Sequence, residues 1–139
     1  MTARMRETPA PRCTILIMDD EPQIRSLMKR TLEGAGYLVL EADGSATAAS
    51  LSSKHPGRID LLIADLVMPR TDGFMTSARL VRARPEMKLL FVSGYAETSP
   101  SVRENLDELK HTPFLAKPYT AAELLAKVSE VLARPHSRS

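Results

Sequence analysis

Ile59-Asp60-Leu61-Leu62-Ile63-Ala64-Asp65-Leu66-Val67-Met68-Pro69-Arg70-Thr71-Asp72-Gly73 is the stretch on which the fold turns. An aliphatic run of this length, broken by turn signals, reads as a strand buried on both faces, as in a parallel sheet covered by helices. Asp65 closes the run. A carboxylate at the mouth of a buried strand is costly unless something positive meets it, so the chain should bring a metal or a lysine to it.

Two further runs end in suitable groups. Thr14-Ile15-Leu16-Ile17-Met18 runs into Asp19-Asp20-Glu21-Pro22, and Phe114-Leu115-Ala116 runs into Lys117-Pro118. Lys88-Leu89-Leu90-Phe91-Val92-Ser93 is a fourth apolar run, closed by a hydroxyl and followed by Gly94. In open α/β sheets ligands bind outside the carboxyl ends of the strands, so these polar ends mark the place for a site.

Between the runs the apolar residues change to helical spacing. Pro22 suits a first helical turn, with Asp19 or Asp20 as its cap, and Ile24, Leu27, Met28 and Leu32 recur on one face until Gly34 and Gly36. Tyr37 to Leu40 is rich in strand formers and Asp43-Gly44 is a turn. An alanine-rich helix spans about 45–55 and closes at Pro56-Gly57; a third begins near Gly73 and stops before Pro85. Residues 95–113 hold Pro100, Pro113 and a weak helical pattern at Val102, Leu106 and Leu109. A short or irregular fourth helix is expected there, in the most mobile part of the domain. Ala121, Leu124, Leu125, Val128 and Leu132 mark a last amphipathic helix before Pro135. Five strands alternating with five helices predict a doubly wound, five-stranded parallel α/β sheet, because each parallel connection needs a crossover.

The 139 residues are enough for one domain. Residues 1–12 read as a disordered leader, 13–134 as the folded domain and 135–139 as a disordered tail. A hydrophobic content of 43% and a charged content of 26% are those of a globular protein, and a net charge of +2 without a dense basic run gives no argument for nucleic acid. The single Cys13 excludes an internal disulfide, fits a reducing compartment and reads as a buried, inert thiol. No apolar run approaches the ~20 residues that span a bilayer, and the first residues lack a signal peptide's apolar core, so a cytoplasmic location is expected. His55, His111 and His136 read as solvated, and Met68, Met75 and Met87 as gap fillers or turn residues. Arg79, Arg82 and Arg84 read as the wet face of the third helix.

Gathered at one edge, Asp19, Asp20 and Asp65 would repel one another, and a hard divalent cation resolves this. Mg2+ takes oxygen ligands and is commonly held by carboxylates plus a phosphate; zinc lacks its His and Cys ligands here. With the metal in place Asp65 keeps an oxygen able to attack phosphorus and form an acyl phosphate. Charge building on a transferring phosphoryl group needs a metal, a lysine and a hydrogen-bond donor around it, and Asp20, Lys117 and Ser93 would supply these.

In these residues the sequence resembles the receiver domain of bacterial two-component response regulators, over residues 13 to 133. The resemblance rests on Asp19-Asp20-Glu21, on Asp65 with Met68-Pro69 and Asp72-Gly73, on Ser93-Gly94 and on Lys117-Pro118. It implies a flavodoxin-like sheet with strand order 2-1-3-4-5. It also implies that Asp65 accepts phosphate from the phosphohistidine of a sensor histidine kinase or a histidine phosphotransfer protein. Asp20, Asp65 and the Val67 main-chain carbonyl would hold Mg2+, with Asp19 acting through a water. Ser93 would be the switch hydroxyl, Lys117 the phosphate contact and Phe114 the switch aromatic, and the Lys117-Pro118 bond would be cis. Serine stands where threonine is frequent at the switch position, which keeps the hydroxyl and loses a methyl. The resemblance implies a signalling module that promotes its own phosphorylation and dephosphorylation, as a monomer or weak dimer; because the sequence stops soon after its last helix no DNA-binding domain is expected, and no apolar run suits a membrane segment. Ser93-Gly94-Tyr95-Ala96 is similar to receivers attached to hybrid histidine kinases. The competing reading is an aspartyl-phosphate hydrolase of the dehalogenase kind, in which Asp-x-Asp follows the first strand; here Asp19-Asp20 has no Asp two positions on.

Overall fold

The computed structural model describes residues 12–68, 71–94 and 111–135. In chain order these form β1 (Thr14–Met18), α1 (Pro22–Gly34), β2 (Leu38–Ala42), α2 (Ser45–Lys54) and β3 (Leu61–Asp65). After them come the two-residue strands β4 (Val67–Met68) and β5 (Thr71–Asp72), then α3 (Gly73–Ala83), β6 (Lys88–Ser93), β7 (Phe114–Ala116) and α4 (Ala121–Ala133). The main sheet has five strands in the order β2-β1-β3-β6-β7, every pairing parallel. That is the flavodoxin-like order 2-1-3-4-5 once the small β4–β5 hairpin is set aside.

The sheet is covered on both faces because its central strands are apolar on both. Leu16 and Met18 of β1, Leu62 and Ala64 of β3, and Phe91 of β6 join one buried cluster with Ala48 of α2 and Leu80 of α3. The alternate residues Ile15, Ile17, Leu61, Ile63, Leu90 and Val92 join a second cluster with Met28 and Leu32 of α1 and Leu124, Val128 and Val131 of α4. Period-two side chains thus feed two cores from one set of strands.

Several boundaries differ from the sequence reading. Helix α1 is capped by Glu21, with no side-chain hydrogen bond, and not by Asp19 or Asp20; Pro22 does open it. The Asp19 Oδ1 instead accepts the Glu21 N–H at 2.9 Å, a local turn that holds the carboxylate beside the helix start. Strand β2 begins at Leu38 rather than Tyr37, because Gly36 turns the chain at φ 100° and the Tyr37 N–H is committed to the Leu32 carbonyl at the end of α1. Leu27 does not reach the core; it is 59% exposed. The stretch after Leu66, read as a plain turn, pairs Val67 with Asp72 and Met68 with Thr71. Cys13 is half-buried, and burial together with Asp60 pushes its thiol up, which suits an inert group.

Arg84 is not on a wet face. It lies just past α3 and donates to the Ser52 carbonyl at 2.7 Å, the His55 carbonyl at 2.8 Å and the Gly57 carbonyl at 2.8 Å, closing the end of α2. At α4 Thr120 and Glu123 form a capping box, each side chain taking the other's main-chain N–H. At its far end Lys88 donates to the Leu132 carbonyl at 3.0 Å and to that of Arg134. The leader, all of the tail but Pro135, and residues 95–110 with the expected fourth helix lie outside the described residues.

Candidate functional site

The strand registers bring the polar ends together. Met18 of β1 is level with Ala64 of β3, so the next residues, Asp19 and Asp65, emerge side by side. Asp65 is level with Val92 of β6, and Ser93 is level with Ala116 of β7, which places Ser93 and Lys117 along the same edge. The ladder continues one residue past each strand: Asp19 N–H donates to the Ala42 carbonyl, Leu66 N–H to that of Val92 and Lys117 N–H to that of Ser93, each at 3.1 Å.

Asp19, Asp20 and Asp65 each offer a carboxylate oxygen within 4.8 Å of the others. Lys117 meets them from β7, its Nζ 2.9 Å from Asp65 Oδ2 and 3.6 Å from Asp19 Oδ2. Asp19 is 1% exposed and Asp65 5%. Burial pushes the Asp19 carboxyl up, and Asp65 and Asp20 add to the shift; the Glu21 N–H and the Lys117 charge oppose it without reversing it. Burial works against the Lys117 ammonium, yet its hydrogen bond to Asp65 and the charges of Asp65 and Asp19 outweigh this and raise its pKa. Tyr119, two residues on, has its phenol pushed up by burial against the pull of Lys117.

Among the described residues Lys117 meets these acids, and its single charge does not balance three carboxylates. The Asp19 Oδ2 is buried without a hydrogen-bond partner, and three hard oxygen donors converge without Cys or His, which suits Mg2+ better than a soft metal. Ser93 is buried at the end of β6 and lines the same cavity as Asp20, Asp65 and Lys117, a cleft of about 940 Å3. Its far wall is apolar, with Ile24 and Leu27 from α1 and Leu124 from α4. Phe114 is half-buried on β7 level with Phe91 and packs on the first core cluster, two strand positions from Ala116. The Lys117-Pro118 bond is cis, as the resemblance implies. Val67 begins β4, two residues after Asp65.

Gly73 is a residue whose role the sequence reading missed. A Cβ there would run into the Asp65 main-chain oxygen and lie 3.1 Å from the Leu66 Cα, so only glycine lets α3 start against the loop that carries Asp65. Asp72-Gly73 was legible as a turn signal, but the close approach was not. His55 is half-buried in the α2–β3 loop and His111 exposed before β7; neither lines the cleft.

A doubly wound sheet with three acids, a lysine and a hydroxyl at its carboxyl edge defines a small class of phosphate-handling α/β domains. The sequence matches the response regulator receiver domain family over residues 15–129, and the chain belongs to that family. It is 34% identical over 119 residues to sensor kinase CckA of Brucella abortus, covering 86% of this chain and 12% of that kinase. It is 29% identical over 118 residues to the response regulator receiver protein CpdR of the same organism, covering 85% of this chain and 95% of CpdR. The chain thus spans a small part of one relative and nearly all of another. Among solved structures, the CheY-like receiver domain protein from Methanospirillum hungatei JF-1 superposes with a TM-score of 0.74 at 27% identity, covering 88% of this chain and 94% of that one. The protein is a receiver domain of two-component phosphorelay signalling. The dehalogenase-type alternative gains nothing from these comparisons. Among the described residues no helix is long and apolar enough to cross a membrane.

Proposed function

We propose that Asp65 is the phosphoacceptor and that Asp19, Asp20, Asp65 and the Val67 main-chain carbonyl form the Mg2+ site. The observation that carries this reading is the hydrogen bond of Lys117 Nζ to Asp65 Oδ2, at 2.9 Å, beside two further acids. An Asp65 oxygen attacks the phosphorus of a phosphohistidine carried by a sensor histidine kinase or a histidine phosphotransfer protein. The phosphorus–nitrogen bond breaks, and its electron pair returns to the imidazole, which takes up a proton. Lys117 and Ser93 donate to the phosphoryl oxygens. Bound Mg2+ supplies charge neutralisation for the carboxylates and the transferring group. Hydrolysis reverses the state: water attacks phosphorus, the acyl phosphate opens, and the Asp65 carboxylate and inorganic phosphate are released. On this reading the domain, taken as residues 13–134, promotes its own phosphorylation and dephosphorylation and works in the cytoplasm with its kinase.

The readout runs through Ser93 and Phe114. A phosphoryl group on Asp65 offers the Ser93 hydroxyl a charge-assisted hydrogen bond, and its movement vacates space for the ring of Phe114. Structures with and without a phosphoryl mimic at Asp65 should differ at these two residues; identical positions in both remove the switch.

For the acceptor, incubation with acetyl phosphate and Mg2+ should add one phosphoryl group by intact mass, and Asp65→Asn should add none. Undiminished phosphorylation of the variant would overturn the assignment.

A further inference from the structure

Arg25 lies near the start of α1 and takes no part in the chemistry above. Its side chain is nonetheless only 17% exposed. Its Nη1 donates to the main-chain carbonyl of Asp19 at 2.6 Å, and its Nε to Glu41 Oε1 of β2 at 3.3 Å. The turn from β1 into α1 is otherwise held by the Asp19 N–H on the Ala42 carbonyl, 3.1 Å, and by the Glu21 N–H on Asp19 Oδ1, 2.9 Å. Three carboxylates within 4.8 Å repel one another when ionised, and Lys117 Nζ lies closer to Asp65 than to Asp19, 2.9 Å against 3.6 Å. Arg25 therefore ties the main chain of the acidic turn to the helix behind it, and Glu41 ties Arg25 to the sheet. A planar guanidinium holding a carbonyl and a carboxylate at once fixes direction as well as distance.

We infer that Arg25 is a positioning residue for the metal centre: through the Asp19 carbonyl it holds Asp19 and Asp20 in ligating geometry, with Glu41 anchoring its guanidinium from β2. The inference rests on the Mg2+ reading proposed above. Arg25 touches no ligand atom of the site, so its effect reaches the metal only through the shape of the turn.

The test compares Arg25→Met, Arg25→Lys and Glu41→Gln in the full chain. It reads the Mg2+ dissociation constant by calorimetric titration, amide hydrogen exchange in EDTA, and the metal-free unfolding midpoint. Arg25→Met should weaken Mg2+ by about 10-fold or more, as losses behind a metal ligand commonly do. It should also speed exchange of the Asp19 and Glu21 amides while Ile15 to Ile17 stay protected. Arg25→Lys should recover part of the affinity, and Glu41→Gln should lose affinity by a smaller factor. Unchanged Mg2+ affinity in Arg25→Met overturns the inference. So does faster exchange throughout β1 with a lowered midpoint, which makes Arg25 a plain tie between helix and sheet. If Arg25→Met does not fold, Glu41→Gln decides, and unchanged affinity there overturns it. A native chain that binds no Mg2+, with local exchange still responding to Arg25→Met, sinks the metal reading and leaves the fastening of the turn standing.

Discussion

Asp19 shows at the scale of one side chain how the site opposes stability. Its carboxyl is buried and its Oδ2 has no hydrogen-bond partner, so burial raises its pKa in the folded protein. A carboxyl with a raised folded pKa favours the native state fully below its unfolded pKa, and that contribution is lost as pH rises through the folded value. Ionised Asp19 is therefore a local burden at neutral pH in the absence of metal. Asp19→Asn should raise the metal-free unfolding midpoint at pH 7, and the gain should shrink as pH falls toward the ordinary carboxyl range near about 4. Thermal unfolding in EDTA across pH checks this, and equal midpoints of variant and native chain at pH 7 would refute it. The convergence of Asp19, Asp20, Asp65 and Lys117 was legible in the sequence because they close several apolar runs at once, although a cap or an exposed turn would account for each alone. Gly73 and Arg25 were not, since what they do depends on backbone that only folding brings near.

Helix α2 has little of its own to hold it. It has ten residues and buries only Ala48 and Ser52, below the length at which helices persist by themselves. Arg84 compensates by capping its carbonyl end and the loop after it, at 2.7–2.8 Å to the Ser52, His55 and Gly57 carbonyls. No periodicity signals this, because the contact spans 32 positions and Arg84 follows two arginines that do face solvent. Arg84→Met should lower the unfolding free energy by about 1–3 kcal/mol, the usual cost of leaving partly buried polar groups without partners. The loss should appear in urea denaturation with the Mg2+ response intact, since α2 lies on the opposite face from α1. An unaltered denaturation midpoint would show that water satisfies these carbonyls equally well. Strand and helix identities followed from the apolar runs and their spacing, whereas boundaries slipped where main-chain bonds decide, as at Tyr37 and Glu21.

For the whole molecule, the decisive fact is that the acids come from β1 and β3, neighbours in the sheet but far apart in sequence, and the lysine from β7. The parallel sheet was legible because buried parallel strands are apolar on both faces, and the resemblance supplied its strand order. The β4–β5 hairpin was not, because two-residue strands leave no periodic trace. The unfolded chain has no such site, so a cation held by these acids binds the native state alone and stabilises it by mass action. At a concentration 100 times the dissociation constant the gain is about 2.7 kcal/mol. Mg2+ should therefore raise the unfolding midpoint in a saturable way, beyond any effect of NaCl at matched ionic strength, and EDTA should reverse the rise. Asp20 is the less buried of the paired acids and lines the cleft, whereas Asp19 is committed to the Glu21 N–H through one oxygen. Asp20→Asn should therefore remove most of the Mg2+-induced shift, and Asp19→Asn should retain more of it. A full shift in Asp20→Asn would mean that the cation binds elsewhere, and the convergence of the three strand ends would then need another explanation.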